Sequence, residues 1–278
     1  MTIREFCEKT GMKKETIQCV EQFVLDENTY LHYKKLFQEE KRQFFKQLKA
    51  EKNWQMLALV LYIRMAVEVY EKYKEKGIAD QIYFDTFSDF RIWSEVCEKK
   101  YGVCGLTECE WLSLPLEFKI FRLGRLQFEP ICLQKEIHTK TYTLPEKTRV
   151  LNVHIPEDGR LVREKCLDSF LQAELFFGES FEAFVCESWL ISPKLRALLE
   201  EESNLIKFMD LFENYGIIYP FRQAEQRVFG EISEQKENYP ERTSLQRALK
   251  KYVLDGKEPG MGQGVRLRSG RRSAAEQE

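Results

Sequence analysis

The residues with the most chemical potential in this sequence fall between positions 122 and 189. His154 ends an apolar run, Val150–Ile155, that Pro156 closes. An imidazole titrates at about pH 6.5 and can take up a proton at neutrality, which suits a general base. A histidine at a strand end also serves as a satisfied structural residue, and the sequence leaves both readings open. Cys186, Glu187 and Ser188 lie on a second strand-like run. Strand alternation puts Cys186 and Ser188 on one face and Glu187 on the other, so the three cannot share one cleft. Pro156-Glu-Asp-Gly-Arg-Leu161 precedes a helical pattern. A helix N-terminus opened by Gly159, with Arg160 and Arg163 beside it, is a place for an anion. Glu157 and Asp158 oppose that use, and a plain strand-to-helix turn is the other reading. Arg122, Arg125 and Glu129 flank a predicted hairpin. They could orient a polar substrate, or form a solvated cross-strand ion pair worth about 0.2–1 kcal/mol. Trp189 and Trp93 could line a pocket, although large aromatics more often fill cores.

The sequence points to no metal site. Its eight cysteines include one loose group, Cys97, Cys104 and Cys109, spaced seven and five apart with no CxxC and no histidine nearby. Zinc requires closer ligand pairs. Reduced, buried thiols are the expectation. The chain has 278 residues, with 43 Lys and Arg against 45 Asp and Glu, a net charge of −2. Such a balance offers no global attraction to nucleic acid or anionic lipid. Hydrophobic residues make up 43% and aromatics 13%, enough for a sizeable core. The longest apolar run, Met56–Ile63, is far shorter than a membrane span. Charges at Arg4, Glu5, Glu8 and Lys9 argue against a signal peptide. A cytoplasmic protein is expected.

Proline divides the chain. All eight lie at position 115 or beyond. The first 114 residues are read as a helical domain, with Met56, Leu59, Ile63, Val67 and Tyr70 on one amphipathic face and a further helix around Phe87–Val96. Beyond it, strands are expected at Leu116–Phe121, Leu126–Leu133, Val150–Ile155, Ala183–Cys186 and Asn204–Met209. Helices are expected from Leu161 to Phe177, from Pro193 to Leu199 with Ser192 as N-cap, and over Ser244–Leu254. The second half thus reads as a mixed-sheet α/β domain over 115–255. Residues 256–278, rich in Gly and Arg, are expected to form a flexible basic tail.

Four segments carry a resemblance. Phe121-Arg-Leu-Gly-Arg-Leu-Gln-Phe-Glu129, Leu151-Asn-Val-His-Ile-Pro-Glu-Asp-Gly-Arg-Leu161, Phe184-Val-Cys-Glu-Ser-Trp-Leu190 and Thr243-Ser-Leu-Gln-Arg-Ala248 stand in the order expected of the bacterial acyltransferase domain-containing proteins. The chain resembles that family over nearly its whole length. The resemblance implies an α+β protein, in which a helical N-terminal domain precedes a domain similar to Gcn5-related N-acetyltransferases. It further implies acyl transfer from acetyl-CoA or another acyl-CoA to an amine of a small molecule or peptide. On that reading His154 is the candidate base, and Cys186 or Ser188 would protonate the leaving thiolate. Gly159, Arg160, Leu161 and Arg163 would hold the diphosphate, Arg122, Arg125 and Trp189 would meet the acceptor, and backbone amides of splayed strands would stabilise the oxyanion. The chain departs from that superfamily's phosphate signature, Arg or Gln, two residues, Gly, one residue, then Gly or Ala, because its turn has a single glycine.

Two other readings remain. The fold could persist in a non-catalytic binding protein, which the acids at 157 and 158 favour. Thr2–Ile17 also resembles the opening of a helix-turn-helix, with Cys7, Gly11 and Ile17 at the packed and turn positions. Its second helix, around Lys14–Val24, lacks the basic face that DNA binding needs. The cations Arg266, Arg268, Arg271 and Arg272 are few, so a nucleic-acid partner is not expected. The run Gly260-Met-Gly-Gln-Gly264 has no helix after it and signals little by itself.

Overall fold

The computed structural model describes residues 1–270. The chain forms two compact units: Met1–Leu123 with Pro156–Asp158, and Gly124–Ile155 with the chain from Gly159 onward.

The first unit is built of helices α1 (Ile3–Lys9), α2 (Lys14–Gln22), α3 (Glu27–Glu39), α4 (Lys41–Ala50), α5 (Trp54–Glu75), α6 (Asp80–Phe87), α7 (Asp89–Tyr101) and α8 (Cys109–Leu116), with a short β1 (Phe121–Leu123). Helix α5 is its axis, and α1, α2, α3, α4, α6 and α8 all pack on it. Of the stripe expected at Met56, Leu59, Ile63, Val67 and Tyr70, Leu59 and Ile63 are buried and the other three are half-buried. Every residue from Leu57 to Ile63 is buried, as are Met65 and Ala66, so that stretch of α5 is enclosed on all sides. A helix apolar all round belongs inside a bundle. Tyrosines in this core place their hydroxyls on backbone carbonyls: Tyr62 on Cys109, Tyr73 on Pro115 and Tyr83 on Ala66, each at 2.7 Å. Leu116, expected to open a strand, instead closes α8, whose last turn accommodates Pro115.

At the N-terminus, Thr2 and Glu5 form a reciprocal capping box on α1. Gly11, at φ 77°, turns the chain toward α2, and Cys7 and Ile17 are buried between the elements. Arg4 pairs with Glu21 at 2.7 Å and Lys13 with Glu98 at 3.1 Å. The helix pair is therefore packed and charge-matched rather than basic.

The second unit holds β2 (Leu126–Cys132), β3 (Ile137–His138), β4 (Thr143–Leu144), β5 (Arg149–His154), α9 (Arg163–Phe177), β6 (Ala183–Ser188), α10 (Asn204–Met209), β7 (Glu213–Ile218), α11 (Gln223–Phe229), α12 (Ser244–Leu254) and β8 (Met261–Leu267). Its main sheet runs β2-β5-β6-β8-β7. The β5–β6 pair is parallel, and β2–β5, β6–β8 and β8–β7 are antiparallel. One face carries Phe128 and Phe184 against Phe170 of α9, with ring centroids 4.7–6.0 Å apart. The other face buries Val150, Ala183, Val185 and Val265 with Leu133, Ile137 and Leu144 from the β3–β4 hairpin region. Among the described residues no helix is long and apolar enough to cross a membrane.

Three further expectations are not met. Asn204–Met209 is a helix, because Ser203 caps it by accepting from the Ile206 N–H at 3.2 Å. Ser192 does not cap the segment after it. Its hydroxyl donates instead to the Pro259 carbonyl, and Pro193–Leu198 forms only 3-10 turns. The predicted tail contains a strand: β8 lies between β6 and β7 in the sheet. Arg271 and Arg272 lie outside the described residues.

Candidate active site

Strands β5 and β6 run parallel for only three residue pairs, from Val150–Ala183 to Asn152–Val185. Each strand continues beyond that point and stays paired on its other edge. His154 is still opposite Gln127 of β2, and Ser188 is still opposite Gly262 of β8. The two strands therefore part at their C-terminal ends. Backbone groups of Val153–His154 and Cys186–Ser188 line a gap in the sheet. Main-chain donors and acceptors need partners, so such a gap can receive an extended polar chain in the manner of an added strand.

His154 stands at the mouth of this gap. Its Nε2 is 2.9 Å from Glu129 Oε2, and Asn152 Nδ2 lies 3.4 Å from the same oxygen. The β2–β5 register brings the three together: Glu129 is opposite Asn152, and His154 follows Asn152 by two residues on the same face. The imidazole and carboxylate side chains are 25% and 23% exposed, partly withdrawn from water yet reachable. Glu187 shares this face through the Asn152–Val185 register and accepts from Gln263 at 2.7 Å.

The turn after β5 is held from below. Arg125 donates from Nε to the Arg160 carbonyl at 3.1 Å and from a terminal nitrogen to the Gly159 carbonyl at 3.0 Å. Peptide units are planar and trans, so carbonyls drawn toward Arg125 send the N–H groups of Arg160 and Leu161 the opposite way. Gly159 takes φ 63°, in the left-handed region that disfavours a side chain. Helix α9 then starts after Val162, which offers no side-chain cap. Its first N–H groups and the positive end of its dipole remain to be matched, a setting that favours an anion. Arg160 and Arg163 are exposed beside it.

Ser169 of α9 anchors this arrangement: its hydroxyl accepts from the Arg125 N–H at 2.8 Å and donates to the Lys165 carbonyl at 2.9 Å. Ser169 is fully buried. Ser169→Ala leaves a buried N–H without this acceptor and is expected to cost about 1–3 kcal/mol. Urea unfolding of the two proteins measures the difference, and equal midpoints would show that the anchor contributes nothing.

The sequence of this unit matches the family model described as the GNAT-like C-terminal domain, over residues 120–266. The chain belongs to that family. Residues 1–118 match the N-acyltransferase N-terminal domain. Among solved structures, the GNAT-like chain is similar to an acyltransferase in complex with decanoyl-CoA and teicoplanin, at 19% identity and a TM-score of 0.76, covering 95% of this chain and 87% of that one. An acyltransferase complex with CoA and 10C-teicoplanin gives 18% identity and a TM-score of 0.78, with the same coverage. A mutant acyltransferase in complex with octanoyl-CoA gives 18% and 0.77. At these identities the likeness speaks for the fold. No curated protein matches the chain.

Within the GNAT-like unit, the residues singled out from sequence divide into those the fold brings together and those it sends elsewhere. Gly159, Arg160, Leu161 and Arg163 form the turn and the first residue of α9, with Leu161 buried as its anchor. Cys186 and Ser188 share the face of Phe184, opposite His154. Burial pushes the Cys186 thiol well above its ordinary range, with Glu187 nearby adding to the shift. Ser188 Oγ accepts from the Leu190 N–H at 3.2 Å. Neither reaches the histidine's face. Trp189 begins a 3-10 turn at the end of β6, with its backbone N–H donating to Gln223.

The two arginines expected to meet the acceptor both bond groups of the chain itself. Arg125 is bound to the turn carbonyls. Arg122, in the first unit with a side chain 13% exposed, pairs with Asp158 at 3.0 Å and donates to Ser88 Oγ at 3.2 Å. Arg91 also meets Asp158, at 3.3 Å. The Asp158 carboxylate, which from sequence stood against anion binding, is thus offset by two guanidiniums. Glu129 reads from sequence only as a hairpin residue that orients a substrate or pairs across the strands, not as a partner of His154, and Asn152 is not singled out. The alternation of Asn152 and His154 was visible, but their carboxylate partner depended on the β2–β5 register.

Proposed function

We propose that the protein is an N-acyltransferase that moves an acyl group from acyl-CoA to an amine of a small molecule or peptide. The observation that carries this reading is His154 beside Glu129 at the mouth of the β5–β6 gap, at the sheet end from which the chain passes to the uncapped start of α9. An extended pantetheine arm suits the gap, and a diphosphate suits the turn 159–163. The solved relatives are acyltransferases with acyl-CoA or CoA bound, which supports the same class of co-substrate here. One of these complexes also holds teicoplanin, which supports a peptide-like amine as the acceptor.

In the reaction the amine nitrogen bonds to the thioester carbon, the C–S bond breaks, and an amide and CoA thiol result. An ammonium must first lose one proton to become a nucleophile, and the nitrogen loses another as the amide forms. His154 accepts a proton from the nitrogen, and the sulfur regains one as the thiolate leaves. Backbone N–H groups along the gap are placed to stabilise the oxyanion. Glu129 and Glu187 share the histidine's face and give the approach a negative character that favours a cationic amine.

Thermal unfolding with acetyl-, octanoyl- and decanoyl-CoA tests the reading. A ligand bound only by the native state at 100 times its Kd stabilises by about 2.7 kcal/mol, which raises the midpoint. Gly159→Val is expected to abolish the rise, because a β-branched residue resists φ 63° and the turn would turn its amides elsewhere. No shift with any of the three thioesters would defeat the proposal.

A further inference from the structure

The contact between Glu129 and His154 has a direction. A carboxylate at neutral pH can only accept, so the 2.9 Å contact to His154 Nε2 is an Nε2–H donation. Asn152 Nδ2 approaches the same Oε2 at 3.4 Å, and its 3.1 Å separation from Nε2 is the third side of a triangle in which two donors share one acceptor. With the hydrogen on Nε2, the ring's lone pair resides on Nδ1. The carboxylate is three-quarters buried and fixed by the sheet register, so it favours one tautomer more firmly than a solvated acid would.

We propose that Glu129 is the positioning residue of the acyl-transfer site: it holds His154 as the Nε2–H tautomer, making Nδ1 the atom that accepts the amine proton. Once Nδ1 is protonated, both ring nitrogens carry hydrogen, and the Glu129 charge stabilises the imidazolium until the proton leaves. Asn152 contributes a second donor to the carboxylate and limits its rotation. The kinetic part rests on the acyl-transfer reading above, whereas the tautomer does not.

The experiment uses the full chain labelled with 15N-histidine. The three histidines, His32, His138 and His154, are few enough to assign, with His154→Asn identifying the third. With the ring neutral, His154 is expected to show a protonated-type Nε2 resonance and an unprotonated-type Nδ1 resonance. Glu129→Gln should shift this toward a mixture of tautomers. Glu129→Asp, too short to reach, should do the same and serves if the glutamine variant folds poorly. An Nδ1–H tautomer in the native chain would overturn the proposal, as would a tautomer ratio unchanged in both variants.

A second arm measures transfer from octanoyl-CoA to a short peptide with a free α-amine. Glu129→Gln is expected to lower kcat by about 10- to 100-fold with KM for both substrates little changed. A raised KM for the amine at unchanged kcat would instead make Glu129 a binding group and overturn the assignment. Failure of native transfer, with the Nε2–H tautomer present, would count against the acyl-transfer reading and leave the tautomer standing.

Discussion

Replacing His154 with alanine is expected to lower the turnover of acyl transfer by about 10²–10⁴-fold while leaving stabilisation by acyl-CoA intact. The size follows from what the residue supplies. No other imidazole lies on the β5–β6 edge, since the remaining histidines are on α3 and β3. Cys186 is too deeply buried to replace it, and its thiol is held well above its ordinary range. Glu129, left alone, would be a weak base for an amine. Thioester binding is argued from the gap and the turn at 159–163, neither of which uses the imidazole. The side chain is a quarter exposed, so its loss leaves no sealed cavity in the core. Release of free CoA thiol reports turnover, and the thermal midpoint with and without octanoyl-CoA reports binding. Native turnover in the variant would remove His154 from the chemistry, and loss of the ligand shift would show that it shapes the binding site instead.

His154 and the turn after it were legible because their signals are local. Strand alternation, a proline stop and Pro-Glu-Asp-Gly are read from adjacent residues, and they located the end of β5 and the start of α9 to within two positions. What surrounds them was not legible, since it comes from distant parts of the chain. Glu129 reaches His154 only through the register of β2 against β5. Arg91 and Arg122 meet Asp158 from 67 and 36 residues away. A sequence shows the acid but not its partners, so Asp158 read as an obstacle. Arg125 likewise read as an exposed hairpin charge, although its guanidinium serves two carbonyls of the turn.

The fold divides in the same way. Long proline-free helices announced the first unit, while the enclosure of α5 depended on neighbours that no periodicity reveals. Asn204-Leu-Ile-Lys-Phe-Met209 is too short to separate a period of 2 from one of 3.6, and the deciding signal was the cap at Ser203, one residue before it. The strand β8 was missed for a different reason. Its glycines lower strand propensity and read as loop.

Those glycines carry the second large effect. Gly262→Val is expected to abolish cooperative unfolding of the sheet unit, even though valine favours strands. A Cβ at position 262 would meet the Ile191 carbonyl oxygen and lie 2.6 Å from the Ser192 nitrogen, so the obstacle is backbone rather than a side chain that can swing away. Ordinary overpacking costs about 1–3 kcal/mol because side chains yield, and here they are not what blocks. At Gly264 a Cβ would lie 2.8 Å from Phe212 Cβ and 2.9 Å from Ile191 Cδ1, so two alternate residues of β8 face the same crowded surface. Gln263, between them, points to the other face and bonds Glu187, so Gln263→Val should melt close to the native midpoint. Circular dichroism melts of both variants decide the matter. If Gly262→Val unfolds at the native temperature, the glycines are not there for close approach. If it fails while Gln263→Val survives, Gly260-Met-Gly-Gln-Gly264 is a packing device of the sheet's interior, and β8 closes the very strand, β6, whose far edge forms one side of the gap.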